Sequence, residues 1–204
     1  MSVKFYEGDL PDGLDLGKIV AIDTETMGLN PHRDRLCLAQ LSSGDGNAHL
    51  VRFAKNAYDA PNLKALLGDD SVTKLFHFAR FDLAVLYRYL GVWATPAYCT
   101  KIASKLVRTF TDRHGLKDLC RELLEVEISK QQQTSDWGAG EISDAQKTYA
   151  ASDVLYLHRL KEALDGMLER EGRTHLAEAA FGFLPVRAEL DLTGWPEVDI
   201  FAHS

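Results

Sequence analysis

Apolar positions change period along the chain, and each change marks an element. Lys18–Thr26 (KIVAIDTET) is a short β-branched run ending in acidic residues. Arg35–Ser43 (RLCLAQLSS) and Asn47–Phe53 (NAHLVRF) follow, separated by Gly44-Asp45-Gly46, which reads as a hairpin turn. Together they predict three consecutive antiparallel strands. Asn62–Leu67 reads as a short helix after Pro61, and Lys74–Phe78 as another strand. The latter leads into Phe81–Leu90, where the apolar spacing becomes helical and Gly91 supplies a stop. Two further helices are expected over Thr100–Thr109 and Leu116–Leu124, then a polar loop from Ser129 to Gly140. Ser143 is a good N-cap for a long helix running to about Arg170, striped by Tyr149, Val154, Leu157, Leu160, Leu164 and Met167. Thr174–Phe183 completes the helices. The pattern is that of an α/β fold, a mixed sheet flanked by helices, with residues 1–204 forming one domain. From Pro185 the chain reads as an irregular tail that still carries Leu190, Leu192, Trp195, Val198, Ile200 and Phe201. So many apolar groups argue that the tail, residues 185–204, docks on its own domain or on a neighbouring subunit.

Composition narrows the class. With 46% hydrophobic and 26% charged residues, the 204-residue chain is globular, neither disordered nor collagen-like. It has no apolar run near the roughly 18 residues that would span a membrane. Its acidic start, MSVKFYEGDLPDG, is no signal peptide. Three cysteines, Cys37, Cys99 and Cys120, have no Cys-x-x-Cys spacing and suit buried thiols in a reducing, cytoplasmic setting. A net charge of −7 speaks against coating long nucleic acid. A short ligand needs only a local patch, and Lys101, Lys105, Arg108, Arg113, Lys117 and Arg121 supply one unless they are a solvated helical face.

The chemistry, if any, sits in carboxylates. Asp23 and Glu25 stand two apart at the end of the first predicted strand, so they share a face and can hold one cation. Chance alone yields about one such Asp-x-Glu pair in a chain this acidic. Asp82 lies where a strand gives way to a helix, a position that also suits a cap. Tyr149 and Asp153 stand four apart on the long helix, hence on one face. A buried carboxylate at 153 needs a metal or a hydrogen-bond partner, and Tyr149 itself is a candidate.

In that order, a strand-end Asp-x-Glu, a helix-start Asp and a late-helix Tyr-x-x-x-Asp resemble the three motifs of the DEDD 3′-5′ exonucleases. The flanks Lys130–Trp137 (KQQQTSDW) and Tyr149–Leu157 (YAASDVLYL) are similar to the ribonuclease D group, over about residues 17–168. Position 148 is Thr, where the histidine variant of the family has its histidine, so the chain resembles the tyrosine variant. Two features depart from ribonuclease D: the chain stops at Ser204, and Gly140-Glu141-Ile142 stands where Arg-Pro-Leu is usual. With the DRHGLKDLC run and the IFAHS ending, they resemble the short nanoRNase C branch, which degrades very short RNA.

That resemblance implies a ribonuclease H-like 3′-5′ exonuclease fold. It implies a metal-dependent exoribonuclease that takes short single-stranded RNA, down to dinucleotides, to 5′-mononucleotides. It further implies two divalent ions, Mg²⁺ or Mn²⁺, held by Asp23, Glu25, Asp82 and Asp153, with Tyr149 orienting the attacking water. A ring-shaped homo-oligomer, an octamer by the same likeness, is implied as well. Substrate contacts are expected from Thr26-Met27-Gly28-Leu29 after the first motif, where Gly28 permits close approach and Leu29 either wedges against a base or packs in the core. His77 either touches substrate or packs in its strand. Arg80, Lys101, Lys105 and Arg108 are candidates for the 5′ phosphate of a short substrate, held by the same subunit or by a neighbour, and Phe81 either stacks on a base or packs. Competing expectations are a broader ribonuclease D-like enzyme acting on longer RNA or DNA, and a non-catalytic nucleic-acid-binding scaffold.

Overall fold

A computed structural model describes residues 2–129 and 131–203. Strands β1 (Ser2–Glu7), β2 (Ile19–Thr26), β3 (Leu36–Ser42), β4 (Asn47–Arg52), β5 (Thr73–Phe76) and β6 (Ala97–Cys99) form one mixed sheet in the order β1-β4-β3-β2-β5-β6. The β2, β3 and β4 strands run antiparallel as the hairpin signals predict, while β5 and β6 continue parallel to β2 and β1 lies parallel to β4. Val20, Ala21 and Ile22 of β2 are fully buried, and so is every residue of β3, because helices cover both faces there. No helix among the described residues is long and apolar enough to cross a membrane.

Helices α1 (Pro61–Leu67), α2 (Ala79–Leu90) and α7 (Thr174–Leu192) belong to one face, and their Leu63, Leu83, Leu86, Leu184 and Ala188 join Val20 and Ile22 in one core. Helices α3 (Thr100–Val107), α4 (Leu116–Leu124), α5 (Asp144–Leu155) and α6 (Leu157–Arg170) build the second core with Ala21 and Leu75. Val20 and Ile22 thus point to one layer and Ala21 to the other, the period of two that places side chains along β2.

Several elements differ from the sequence reading. The β1 strand alternates exposed and half-buried residues, so it lacks the apolar run that flags a strand, and β6 has only three residues. The long helix is two, because the backbone at Tyr156 turns to φ −105°, ψ −5° between Leu155 and Leu157. Its start is as expected: Ser143 accepts from Gln146 N–H while the Gln146 side chain accepts from Ser143 N–H. The last helix does not stop at Phe183 but runs through Pro185 to Leu192. A proline there forfeits one backbone hydrogen bond. Burial of Leu184 and Ala188 against α2 offsets it, at about 1.5–3 kcal/mol for a leucine side chain. Beyond Thr193 the apolar residues Trp195, Val198, Ile200 and Phe201 are exposed.

Candidate active site

The end of β2 brings the chemistry together. Asp23 and Glu25 follow Ala21 on the face covered by α5, which delivers Asp153 from above. One carboxylate oxygen from each of Asp23, Glu25 and Asp153 lies within 4.8 Å of the others, all three residues half-buried. The pairing of β2 with β3 slips between Glu25 and Thr26, a bulge of the kind that re-aims side chains at a strand end.

Asp82 approaches from the opposite layer. Phe78 adopts a left-handed conformation (φ 74°) ahead of α2, and the first turn then carries Asp82 in beneath the strand end. Asp82 is 3% exposed and its Oδ1 accepts a 2.7 Å hydrogen bond from the Thr24 hydroxyl. It is therefore a buried carboxylate behind the trio, held by the Thr24 hydroxyl and by the backbone N–H groups of Thr24 and of Asp82 itself in the first turn of α2.

Packing these acids together makes ionisation costly. Burial pushes Asp23 up to about 7. Burial, then the charges of Asp23, Asp153 and Asp82, push Glu25 up to about 10. Asp82 is raised by burial and by Asp23. The Tyr149 hydroxyl, raised by burial and by the same carboxylates, is hydrogen-bonded to Asp153, so at neutral pH it holds its proton. Hard oxygen donors that converge where ionisation is costly without a counter-charge fit Mg²⁺ or Mn²⁺, which would displace the protons.

The carboxylates open into a cleft of about 660 Å³. Its lining includes Thr26, Met27, Gly28, Leu29, His77, Phe81 and Lys101 from the sequence reading, with Tyr149. Leu29 is 85% exposed at the rim, which removes the core-packing alternative. Gly28 is required because a side chain there would collide with the Asp34 carboxylate, so the close approach is within its own loop. His77 Nδ1 lies 2.9 Å from the Thr100 hydroxyl, whose proton goes to the Phe76 carbonyl. His77 Nδ1 is therefore the donor, and this fixes the ring at the cleft wall. Lys101 Nζ sits 4.6 Å above the Phe78 ring.

Three expected phosphate contacts lie elsewhere. Arg80 forms a two-pronged ion pair with Asp191 of α7 (2.5 and 2.6 Å) and also donates to the Pro196 carbonyl. Arg108 is 1% exposed, paired with Glu122 and bonded to the Arg113 carbonyl; it is a buried structural cation, where the sequence reading placed a surface one. Lys105 lines a separate small cavity beside Arg187.

The far wall is Ile128, Ser129, Gln133, Thr134, Ser135 and Trp137, together with Gly115, Leu116 and Lys117. The sequence reading has Lys117 in its cationic patch and 130–137 as a family-like flank, but assigns none of these residues to the site. Lys130, which opens the KQQQTSDW flank, lies outside the described residues. Gln146, the third residue of α5 and the partner of the Ser143 cap, donates to Ser135 Oγ and the Asp136 carbonyl, tying that wall to the helix that carries Tyr149. The Trp137 ring packs 6.1 Å from Tyr149. Removing only the Tyr149 hydroxyl, by Tyr149→Phe, leaves this packing in place. We expect kcat to fall by about 10- to 100-fold with KM near that of the parent protein, read by steady-state hydrolysis of a short oligonucleotide.

Residues 12–169 match the 3′-5′ exonuclease family. In solved structures, the chain is similar over its whole length to Brucella melitensis NrnC bound to pGG, with 60% identity, a TM-score of 0.97 and both chains fully covered. The same Brucella protein is also known with bound Mg²⁺, at 60% identity and a TM-score of 0.96. Ribonuclease D of Jannaschia sp. is 33% identical over 162 residues, 78% of this chain and 42% of that protein. Escherichia coli RNase D is 26% identical with a TM-score of 0.72, covering 84% of this chain and 45% of that one. The chain thus spans a little under half of the ribonuclease D proteins it matches. With the carboxylates of all three motifs at one strand end on a mixed sheet of the ribonuclease H-like type, the chain belongs to the 3′-5′ exonuclease family.

Proposed function

We propose that this chain, acting as one exonuclease domain of residues 1–204, is a metal-dependent 3′-5′ exoribonuclease for short oligoribonucleotides, including dinucleotides. The observation that carries the reading is the convergence of Asp23, Glu25 and Asp153 within 4.8 Å, with Asp82 buried behind them. Asp23, Glu25, Asp153 and Asp82 would hold two divalent ions, Mg²⁺ or Mn²⁺. Bound there, such ions neutralise charge at the reacting phosphate and lower the pKa of water. Tyr149 keeps its proton and orients the attacking water through Oη, which the Asp153 carboxylate aligns. The oxygen of that water bonds to phosphorus as the bond to the 3′ oxygen of the preceding nucleotide breaks. The water gives up a proton to solvent and the leaving oxygen takes one up, which yields a 5′-mononucleotide and a shortened 3′-hydroxyl end.

The cleft walls support a small substrate. Lys101 and Lys117 line the cleft, enough cationic surface for one or two phosphates on a protein of net charge −7, and His77 at the wall offers a polar ring. Few phosphates mean little counterion release, so binding does not need a basic surface. Leu29, exposed at the rim, is placed to press on a base. Leu29→Ala should raise KM for dinucleotides by about 10-fold, near 1.4 kcal/mol. The melting temperature should stay within about 2 °C, because an exposed side chain contributes little to stability. Steady-state assays and a thermal melt check both.

The exposed apolar group of Trp195, Val198, Ile200 and Phe201 supports self-association into the ring-shaped homo-oligomer, and a monomeric mass by light scattering would contradict it. Three buried, unpaired cysteines suit work in the cytoplasm. The direct test of the activity is hydrolysis of a 5′-phosphorylated diribonucleotide with Mn²⁺, with EDTA, and by Asp23→Ala. Turnover only in the first arm supports the reading, and turnover that survives EDTA overturns it.

A further inference from the structure

Across β2, directly opposite Asp23 in the strand register, stands Gln40 of β3. Its side chain is fully buried, and its Nε2 lies 3.4 Å from Asp23 Oδ2 as a donor. Its other end, Oε1, is buried with no hydrogen-bond partner among the described residues. Burying an amide with one end unsatisfied costs stability, on the order of 1–3 kcal/mol, and an apolar side chain at this central position would avoid the cost. Leu38, one step away on the same face of β3, does so.

We propose that Gln40 is a positioning residue for Asp23: its amide holds one carboxylate oxygen so that the remaining lone pairs face the cleft. The choice of residue type follows from charge. Lysine or arginine here would bind Asp23 more strongly but would place a positive charge where a cation is to sit, weakening its hold. Glutamine directs the carboxylate with a neutral donor. Groups that hydrogen-bond to a metal-ligating carboxylate typically change metal affinity by about 10- to 100-fold when removed.

This inference rests on the reading that Asp23 holds a divalent ion, and the experiment separates the two. Mn²⁺ binding is measured by calorimetry, without substrate, on the full chain and on Gln40→Met, which keeps the volume and removes both polar ends. Parent binding that Asp23→Ala abolishes secures the underlying reading; no binding by the parent protein would remove that reading and this one with it. The proposal then predicts Mn²⁺ affinity about 10- to 100-fold weaker in Gln40→Met, with kcat largely recovered at saturating Mn²⁺. It also predicts a metal-free melting temperature equal to or above that of the parent protein. Lower stability with unchanged Mn²⁺ affinity would make Gln40 merely structural and overturn the proposal. Gln40→Leu repeats the test; failure of both variants to fold would also overturn it, since the amide is required here to be dispensable for folding.

Discussion

Asp23→Asn should lose turnover while gaining stability. Asparagine keeps the shape of aspartate but removes the charge that acts most strongly on both Glu25 and Asp82. Loss of one preorganised electrostatic group typically costs about 10²–10³ in kcat. A carboxylate placed between the two halves of the site should cost on the order of 10³ or more. In the metal-free protein the same change relieves both the desolvation of Asp23 and its repulsion of Glu25. The melting temperature should therefore rise by about 2–4 °C per kcal/mol recovered. Steady-state hydrolysis and a melt in EDTA read the two effects, and a variant that is both inactive and less stable would mean that Asp23 supports the fold.

The metal-free protein should also weaken as pH rises. In the unfolded chain Asp23 and Glu25 ionise near their ordinary values of 3.8 and 4.5, whereas in the fold they keep their protons to about 7 and about 10. The folded state then binds more protons than the unfolded state, so stability falls with increasing pH. It is highest below about 4, and the Asp23 contribution is fully lost above about 7. A tenfold difference in proton affinity corresponds to about 1.4 kcal/mol. Allowing for solvent at these half-buried groups, the melting temperature in EDTA should drop by about 5–10 °C between pH 5 and pH 8. Mn²⁺ should reverse the trend, because the ion displaces those protons and its affinity rises with pH. Asp23→Asn should flatten the profile in EDTA. A profile that is unchanged by Mn²⁺ would contradict the role of the cluster as a cation site.

What the sequence carries, and what it withholds, follows from the kind of signal each residue leaves. Asp23 and Glu25 were readable because a period of two fixes their common face, and Tyr149 and Asp153 because a spacing of four does the same on a helix. The hairpin strands were readable from short apolar runs, the second and third separated by Gly44-Asp45-Gly46. Charge alone does not display partners: Asp191, which pairs with Arg80, is 111 positions away, and Glu122, which pairs with Arg108, is 14 away. Gln40 leaves no motif, since a neutral polar residue in a buried strand gains meaning only from the strand beside it. The helix through Pro185 was hidden because local propensity forbids what packing against α2 enforces. The cleft wall of Gln133, Thr134, Ser135 and Trp137 was read as a loop and a family-like flank and not as a site wall, because its tether, the Gln146 side chain, reaches it across 10 to 11 positions of sequence.

The central claim, that this site finishes the decay of very short RNA, is tested most directly by a length series. Single-stranded RNA of two to 20 nucleotides is hydrolysed in Mn²⁺ under single-turnover conditions, with Asp23→Asn as control. The account predicts the largest kcat/KM on the dinucleotide, 5′-mononucleotides as products and no turnover by the variant. Equal or faster stepwise decay of the 20-mer would contradict it and assign the cleft to longer RNA.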